Sequence, residues 1–328
     1  MSKPKMHHFV PQGYLARFGE NNMVTVKRRE PAKIHDTNVR NIAGEVGLYT
    51  IERPDGTTST EVEEDLADID GAALAAMQWI DEHDKPPAAG SAERDGLCTY
   101  LAVQTTRTPR SRTMTMFPRH VLDYAQGREL TKELVSEYLE KRHLGRKTTP
   151  AEVQAAWTYV HGVAAMGGFP TKTDATQLSM AIVGNYLDHF NDRHWRLEKC
   201  RKPHFVTSDA PLLLWRRPSV SDAYKGIGIL DAEEIRFPLD PSKQLVLTPG
   251  QGTSTLDVGL SRMWDSNRDQ AANCAQIIVG HPVRNSWTTK LELRRTGPTL
   301  RFNMAPGIRE NADGSTEPMG DVLHLTVR

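Results

Sequence analysis

The chain has 328 residues, and its 41 basic and 41 acidic side chains give a formal net charge of zero. That balance excludes a chain-wide attraction to nucleic acid or to an anionic membrane, but it leaves room for a local basic patch. The three cysteines are far apart and form no CxxC pair, which argues against a disulfide framework or a cysteine-bound zinc. We therefore expect a cytoplasmic protein with reduced thiols, and no segment approaches the length of a membrane span.

The first predicted element is a short helix that begins near Pro11, directly after the adjacent histidines His7 and His8. Proline suits the first turn of a helix because its missing N–H would have no helical partner there. Two β-type segments follow, MVTVKRR at 23–29 and GLYTIER at 47–53. The chain thus opens with a short helix and then two candidate strands.

From about residue 60 the spacing of hydrophobic residues changes to that of helices. Val62, Leu66, Ile69 and Ala73 recur three or four residues apart, which predicts an amphipathic helix. We expect the acidic run EVEEDLADID in this helix to be its solvated face. Further helices are predicted at 92–107, 112–125, 130–142, 150–165 and 174–191.

After residue 193 the pattern becomes β-like again. Short runs bounded by turn residues predict strands, namely HWRLEKC, HFVTSD, LLLWRR, EIRFPL, QLVLTP, TLRFNM and DVLHLTV. Residues 263–280 predict one further helix. Because strands and helices are segregated along the chain, a parallel βαβ arrangement is disfavoured.

The predicted fold class is α+β, with a mostly antiparallel sheet formed by both chain ends and a large helical insertion. We expect one domain over 1–328, with sheet-rich parts at 1–55 and 194–328 and a helical part at 56–193. The strand near 23–29 is expected to pair with the sheet formed by residues 194–250.

Five segments occur in an order that resembles the DUF4238 family of bacterial and phage proteins. They are HHFVPQGYLARF at 7–18, NVRNIAGEVGLYT at 38–50, LAVQTTRTPRSR at 101–112, FVTSDAP at 205–211 and FPLDPS at 237–242. The resemblance implies a residue pattern and no activity, and its bacterial and phage setting is compatible with a role in defence. Ala210 stands where similar proteins usually have asparagine, so no side-chain role is expected at that position.

The histidine pair and the TSD segment supply the candidate catalytic residues His7, His8, Ser208 and Asp209. In an extended segment, neighbouring side chains point in opposite directions, so one imidazole is expected to face a given site. A neutral imidazole can act as a general base or as a metal ligand. We expect Asp209 to lie within hydrogen-bonding reach of one imidazole, and His8 with Asp209 to hold one divalent metal ion. The alternative is that the histidines anchor the N-terminus and that Asp209 and Ser208 form a local turn.

Five residues are candidates for substrate binding. Gln104 and Arg107 share one face of a predicted helix, where the guanidinium could bind a phosphate or carboxylate through two hydrogen bonds. Arg112 belongs to the basic patch that follows, and Gln12 belongs to the N-terminal motif. Asn267 could orient a substrate or cap a helix.

Two function classes follow from these residues. The first is a hydrolase of a phosphodiester or another anionic substrate, similar to a nuclease, that uses the His/Asp centre for catalysis and Arg/Gln for anion binding. The second is a binding or interaction module in which the same side chains form a structural polar network. The expected partner is nucleic acid or a small anionic substrate, and no membrane.

Overall fold

The computed structural model describes residues 6–53, 55–218, 227–284, 286–293, 300–310 and 315–327. Its α-helices are α1 (Gln12–Ala16), α2 (Glu61–His83), α3 (Ala92–Thr106), α4 (Pro109–Ala125), α5 (Lys132–Leu139), α6 (Pro150–Ala165), α7 (Lys172–Ala181), α8 (Gly184–Asn191), α9 (Leu260–Asn273) and α10 (Ser286–Lys290). Its strands are β1 (Met6–His8), β2 (Met23–Arg28), β3 (Lys33–Asn38), β4 (Gly44–Val46), β5 (Ile51–Glu52), β6 (Thr58–Ser59), β7 (His194–Lys199), β8 (Thr207–Ser208), β9 (Leu213–Trp215), β10 (Glu234–Asp240), β11 (Lys243–Thr248), β12 (Thr253–Asp257), β13 (Ile277–Gly280), β14 (Leu300–Glu310) and β15 (Thr316–Val327). The α+β class predicted from the sequence is confirmed.

The strands form two larger sheets and three hairpin-sized pairs. The larger sheets have the orders β12-β7-β11-β10-β9 and β3-β2-β13-β8, and the smaller pairs are β1-β4, β5-β6 and β14-β15. Neighbouring strands are antiparallel except for β12 and β7, which run parallel. Among the described residues, no helix has both the length and the apolar character needed to cross a membrane.

The chain divides into two compact units. The first contains Met1–Arg112, Lys172–Arg217 and Ile227–Gly297, and the second contains Thr113–Thr171, Pro218–Gly226 and Pro298–Arg328. The first unit therefore combines both larger sheets with α2, α3 and the helices that follow α6. The single domain expected from the sequence stays a prediction.

Two sequence predictions are wrong, namely the pairing partner of β2 and the length of the helix expected over 263–280. Strand β2 pairs with β3 and with β13 (Ile277–Gly280). Of residues 194–250, β8 belongs to the same sheet, where it pairs with β13 and not with β2. The helix expected over 263–280 is α9, which ends at Asn273, and the last four residues of that range form β13. All four residues of β13 are buried, and pairing with β2 and β8 satisfies their backbone groups. Long-range strand pairing thus overrides a locally helical pattern there.

The side chain of Tyr14 links several elements of the first unit. It is fully buried, and its hydroxyl donates a hydrogen bond to the carbonyl of Pro238 at 2.8 Å and accepts one from the Thr207 hydroxyl at 2.7 Å. Its ring stacks on Phe237, with 5.0 Å between the ring centroids. Helix α1 is thereby fastened to β8 and to β10. Desolvation by burial raises the pKa of Tyr14 well above its usual value, so the hydroxyl stays neutral.

Replacing Tyr14 with phenylalanine is expected to destabilise the protein by about 1–3 kcal/mol, because the buried Thr207 hydroxyl and Pro238 carbonyl each lose a partner while the ring remains. Urea denaturation measures this change. Tyr186→Phe, in the same unit, is the control and is expected to leave the unfolding midpoint nearly unchanged. Equal midpoints for wild type and Tyr14→Phe would contradict the proposed linking role.

The second unit has its own hydrophobic core, formed by α4, α5 and α6. Phe117 and Tyr138 meet edge to face there, and His143 packs on Tyr138 with 5.2 Å between the ring centroids. Helix α6 begins with a capping box, in which Thr149 and Glu152 bond each other's backbone N–H groups. Burial lowers the pKa of His143 to about 4.

Acid is expected to destabilise the second unit through His143. The unfolded imidazole takes up a proton near its ordinary pKa, whereas the folded one resists protonation until about pH 4. The unfolded state therefore binds more protons in that window, and the free energy of unfolding falls by up to about 3 kcal/mol as the pH drops through it. Urea denaturation followed by circular dichroism at a series of pH values measures this loss, and His143→Gln is expected to flatten it. An unchanged pH dependence in His143→Gln would contradict this expectation.

Candidate active site

A cleft in the first unit gathers polar side chains from three separate parts of the chain. We call it the N-terminal cleft, and its volume is about 410 Å³. Its polar lining comes from the N-terminal motif, from the GLYT segment and from α2, and it comprises His7, His8, Gln12, Tyr49, Glu63 and Asp70. This size and this mixture of apolar walls with a few convergent polar groups are typical of small-molecule sites.

The two histidines take opposite roles because they are neighbours on a strand. Strand β1 pairs with β4, with His7 opposite Glu45 and His8 opposite Gly44. Successive side chains of a strand point to opposite faces, so His7 is buried and His8 is half-buried. The two side chains differ in burial, but both line the N-terminal cleft, so the expectation that one imidazole would face a given site is wrong.

The hydrogen bonds of His7 fix its tautomer and aim it at a carboxylate. Its Nδ1 accepts the backbone N–H of Tyr49 at 2.9 Å, which leaves the proton on Nε2. That Nε2 lies 3.4 Å from Oε2 of Glu63, and the imidazole stacks on the Tyr49 ring. His7 therefore restrains the Glu63 carboxylate, which is the reverse of a catalytic triad, where a carboxylate orients an imidazole.

His8 is held on both sides of its ring. Gln12 donates to Nδ1 at 3.3 Å, and Nε2 donates to the carbonyl of Arg40 at 3.2 Å. Desolvation by burial lowers the pKa of His8, the hydrogen bond to Arg40 opposes this, and the neighbouring His7 adds to the lowering. The imidazole of His8 is therefore neutral near pH 7.

Two cleft residues, Glu63 and Asp70, were missed by sequence reasoning. They belong to the acidic run that was expected to be solvated, but they lie seven residues apart and so share a face of α2. Both side chains are only about one fifth exposed, at 23% and 21%. Their position beside Val62, Leu66 and Ile69 of the apolar stripe was the available signal.

Arg107 was predicted to bind the anionic group of a substrate, but its guanidinium is paired with the Asp70 carboxylate of the same chain. Its guanidinium forms a two-point ion pair with Asp70, at 2.7 and 3.4 Å, and it is buried. Gln104, also buried, turns its amide oxygen toward Arg107 Nε at 2.8 Å and toward the Tyr100 hydroxyl at 3.2 Å. Burial raises the pKa of Asp70, and Arg107 opposes this. The predicted bidentate geometry is present, with Asp70 as the partner.

Asp209 does not meet the histidines. One of its carboxylate oxygens accepts the backbone N–H of Ala275 at 2.8 Å, and the other accepts those of Gln276 and Ile277 at 2.6 and 3.1 Å. The hydrogen bond expected between Asp209 and an imidazole is not formed among the described residues, because this carboxylate holds the turn between α9 and β13. Burial raises the pKa of Asp209 to about 6, and the three backbone N–H groups oppose this.

Ser208 and Asn267 belong to the same buried network as Asp209. The Ser208 hydroxyl accepts hydrogen bonds from Gln270 at 2.6 Å and from the Ala210 N–H at 3.0 Å. Asn267 accepts the N–H of Val206 and donates to the carbonyl of His204. These side chains join the segment around β8 to α9, and neither residue lines the N-terminal cleft. At Ala210, only backbone groups are used.

The predicted metal ligands lie in separate networks. His8 uses both ring nitrogens, and Asp209 uses both oxygens for backbone N–H groups. Within the described part of the chain, no three His, Cys, Asp or Glu side chains cluster as a metal site. A divalent ion at His8 and Asp209 would need both networks to rearrange, so no step below is derived through a metal.

The fold and the geometry define a class of protein. It is an α+β protein with an imidazole–carboxylate pair in a cleft near its N-terminus. The chain belongs to the family described as Protein of unknown function (DUF4238), whose sequence model matches residues 6–283. That match includes every residue that lines the N-terminal cleft. Comparison with curated proteins and with solved structures gives no match.

Asp209→Asn is expected to lower stability by about 1–3 kcal/mol, because an amide nitrogen replaces one of the two oxygens that accept buried N–H groups. Urea denaturation measures this loss. Asp257→Asn, at an exposed position of β12, is the control and is expected to have little effect. A catalytic role for Asp209 would appear instead as lost activity at unchanged stability.

Proposed function

We propose that this protein is a hydrolase that acts on a phosphodiester or a related anionic ester in the N-terminal cleft. Glu63 is the general base, and His7 is its positioning residue. The observation that carries the proposal is the His7–Glu63 pair, in which the backbone N–H of Tyr49 fixes the imidazole tautomer. A carboxylate oriented in this way, at the wall of a cleft, is suited to general acid–base catalysis.

The proposed reaction uses water as the nucleophile, and its protons balance between water, Glu63 and the substrate. Glu63 takes a proton from a water molecule as the water oxygen forms a bond to phosphorus. The bond from phosphorus to the leaving oxygen breaks, and the protonated Glu63 returns its proton to that oxygen. Half-buried His8 lies in the same cleft, where Gln12 and the Arg40 carbonyl occupy both of its ring nitrogens, so it shapes the wall of the cleft.

The charges of the N-terminal cleft restrict how an anionic substrate binds. Glu63 and Asp70 repel it, and Arg107 is already paired with Asp70. A further cation is therefore required, either a divalent ion as the sequence suggested or another guanidinium. We place the activity in the cytoplasm, which is supported by three free, buried cysteines.

Glu63→Gln is expected to reduce hydrolysis of bis(para-nitrophenyl) phosphate by about 10²–10⁴-fold, because glutamine cannot accept the proton. Release of nitrophenolate is followed with and without Mg²⁺ or Mn²⁺, and after treatment with EDTA. The matched control is Glu64→Gln, the exposed next residue of α2, which should keep the wild-type rate. Wild-type turnover by Glu63→Gln would contradict the assigned base.

A binding module without catalysis is the second candidate. It is favoured because two predicted site residues have partners inside the protein. Arg107 is paired with Asp70, and the Asp209 carboxylate accepts backbone N–H groups. Saturable binding of the phosphodiester by wild type, with no turnover under any metal condition, would favour this candidate over the hydrolase.

A further inference from the structure

Two tryptophans of the first unit meet beside the loop that precedes β8. Trp264 lies on α9 and Trp287 on α10, and their rings contact edge to face with 5.1 Å between the ring centroids. The imidazole of His204, from the loop, stacks on Trp287 with 5.3 Å between the centroids and 7° between the ring planes. All three residues are half-buried, so this aromatic cluster is partly open to solvent.

Helix α9 fixes the position of the loop that carries His204. Asn267 lies one turn after Trp264 on the same face of the helix, and its amide donates to the carbonyl of His204 at 2.7 Å. Each of the two tryptophans also packs against a small buried hydrophobic cluster. The three rings are therefore held together by the fold itself, before any partner binds.

Two cations lie beside the aromatic rings. Lys202 and Arg284 are exposed, and neither side chain forms an ion pair among the described residues. Burial lowers the pKa of His204, a hydrogen bond with the backbone of Arg284 opposes this, and the charges of Arg284 and Lys202 add to the lowering. The imidazole is therefore neutral near pH 7, and the lysine and the arginine supply the positive charge. We call the set of Lys202, His204, Trp264, Arg284 and Trp287 the tryptophan patch.

Charge distinguishes the tryptophan patch from another tryptophan–histidine stack in the same unit. Trp79 stacks on His83 at the end of α2, with 4.1 Å between the centroids, but Glu82 and Asp84 flank that histidine in the chain. At the tryptophan patch, the carboxylate next to Trp264 is that of Asp265, and Arg268 neutralises it at 3.1 Å. The charges of Lys202 and Arg284 thus remain available to an anionic partner.

Aromatic rings beside unpaired cations fit single-stranded nucleic acid. An unpaired base has a free face that stacks on an aromatic side chain, and the phosphates next to it carry charge that lysine or arginine neutralises. A duplex covers the faces of its bases by internal stacking, so it offers this surface its phosphates alone. The chain has no net charge, so attraction to a polyanion depends on local surfaces of this kind.

We propose that the tryptophan patch is a docking surface for single-stranded nucleic acid. A base stacks on the aromatic rings, and Lys202 and Arg284 bind the adjoining phosphates. The patch shares no residue with the lining of the N-terminal cleft. Binding at the patch is independent of the proposed hydrolase, and only the use of the bound strand as its phosphodiester substrate rests on that function.

A fluorescein-labelled strand of about twelve thymidine nucleotides is the probe, and its anisotropy is followed in EDTA during titration with the full chain. Wild type is expected to bind it saturably, with an affinity that falls as salt rises because phosphate contacts release counterions. The same sugar-phosphate strand without bases is expected to bind about tenfold more weakly, since stacking is lost. A duplex of equal length is expected to bind as weakly as the strand without bases.

Two variants remove the two parts of the patch separately. Trp287→Leu is expected to weaken binding of the thymidine strand about tenfold, because a stacked base loses its aromatic partner. The double variant Lys202→Gln/Arg284→Gln is expected to reduce the slope of log affinity against log salt by about 1.4, since two phosphate contacts are lost. Trp79→Leu and Lys85→Gln are the matched controls, a half-buried tryptophan stacked on a histidine and the exposed lysine beside it, and both should bind as wild type does.

The design separates loss of binding from loss of folding. Trp287 packs on a buried cluster, so the melting temperature of Trp287→Leu is measured as well. Trp287→Phe keeps an aromatic ring and is expected to bind the thymidine strand more tightly than Trp287→Leu. Lys202 and Arg284 are exposed, and their double variant is expected to melt at the wild-type temperature.

The proposal is overturned if wild type does not bind the thymidine strand at low salt, or if the strand without bases binds equally well. It is also overturned if Trp287→Leu and the double variant bind as wild type does. Binding of wild type, but not of Trp287→Leu, to vesicles of phosphatidylserine and phosphatidylcholine, with no binding of the thymidine strand, would assign the patch to a membrane surface instead.

Glu63→Gln separates this proposal from the hydrolase, because it is expected to lose turnover of bis(para-nitrophenyl) phosphate and to keep binding of the thymidine strand. Strand binding that depends on Trp287, without hydrolysis under any metal condition, leaves the docking surface standing and removes the proposed activity. Hydrolysis of the small ester without strand binding does the reverse.

Discussion

The hydroxyl of Tyr14 is the constraint on which the first unit depends. A short helix such as α1 is not stable alone, since its few backbone hydrogen bonds do not offset the entropy of ordering it. Its position comes from one buried phenol that accepts a hydrogen bond from Thr207 and donates one to Pro238, while the ring packs on Phe237. Because β1 directly precedes α1, the geometry of the histidines follows from this anchor. Tyr14 thus anchors the N-terminal motif to the sheets, and the same segment of chain places its two imidazoles at the cleft.

Saturation of hydrogen bonds separates the structural polar residues from the candidate functional ones. The Asp209 carboxylate accepts three backbone N–H groups, and Asn267 uses both ends of its amide. Such groups have little capacity left for a ligand, and breaking their bonds would expose buried N–H groups. In the N-terminal cleft the situation differs. Glu63 is partly exposed there, and Tyr49 keeps a buried hydroxyl without a partner.

Local patterns predicted the parts of the fold that depend on local periodicity. Strand β2 was found from its β-branched sequence and helix α2 from the three-to-four spacing. In α2 the predicted stripe is buried, whereas in β2 three successive residues, Val24 to Val26, are buried. Strand β13 was missed because AANCAQIIVG contains no glycine or proline before its last residue, and only pairing with β2 and β8 makes it a strand. The same limit applied to the site. His7 and His8 stand out in a motif, whereas Glu63 looks like any acidic residue on a helix surface until α2 is packed against β1.

The arginines of the LAVQTTRTPRSR segment show why residue type alone does not assign a function. Arg107 and Arg112 are five residues apart and were both expected to bind an anion. Arg107 is neutralised by Asp70, a residue from another helix, so its charge serves the fold. Arg112 donates to the carbonyl of Leu48 and forms no ion pair within the described structure, and the attraction of Glu45 offsets its burial only in part. The two arginines therefore differ in whether another element supplies an ion-pair partner. That difference appears only when α2, α3 and α7 are assembled.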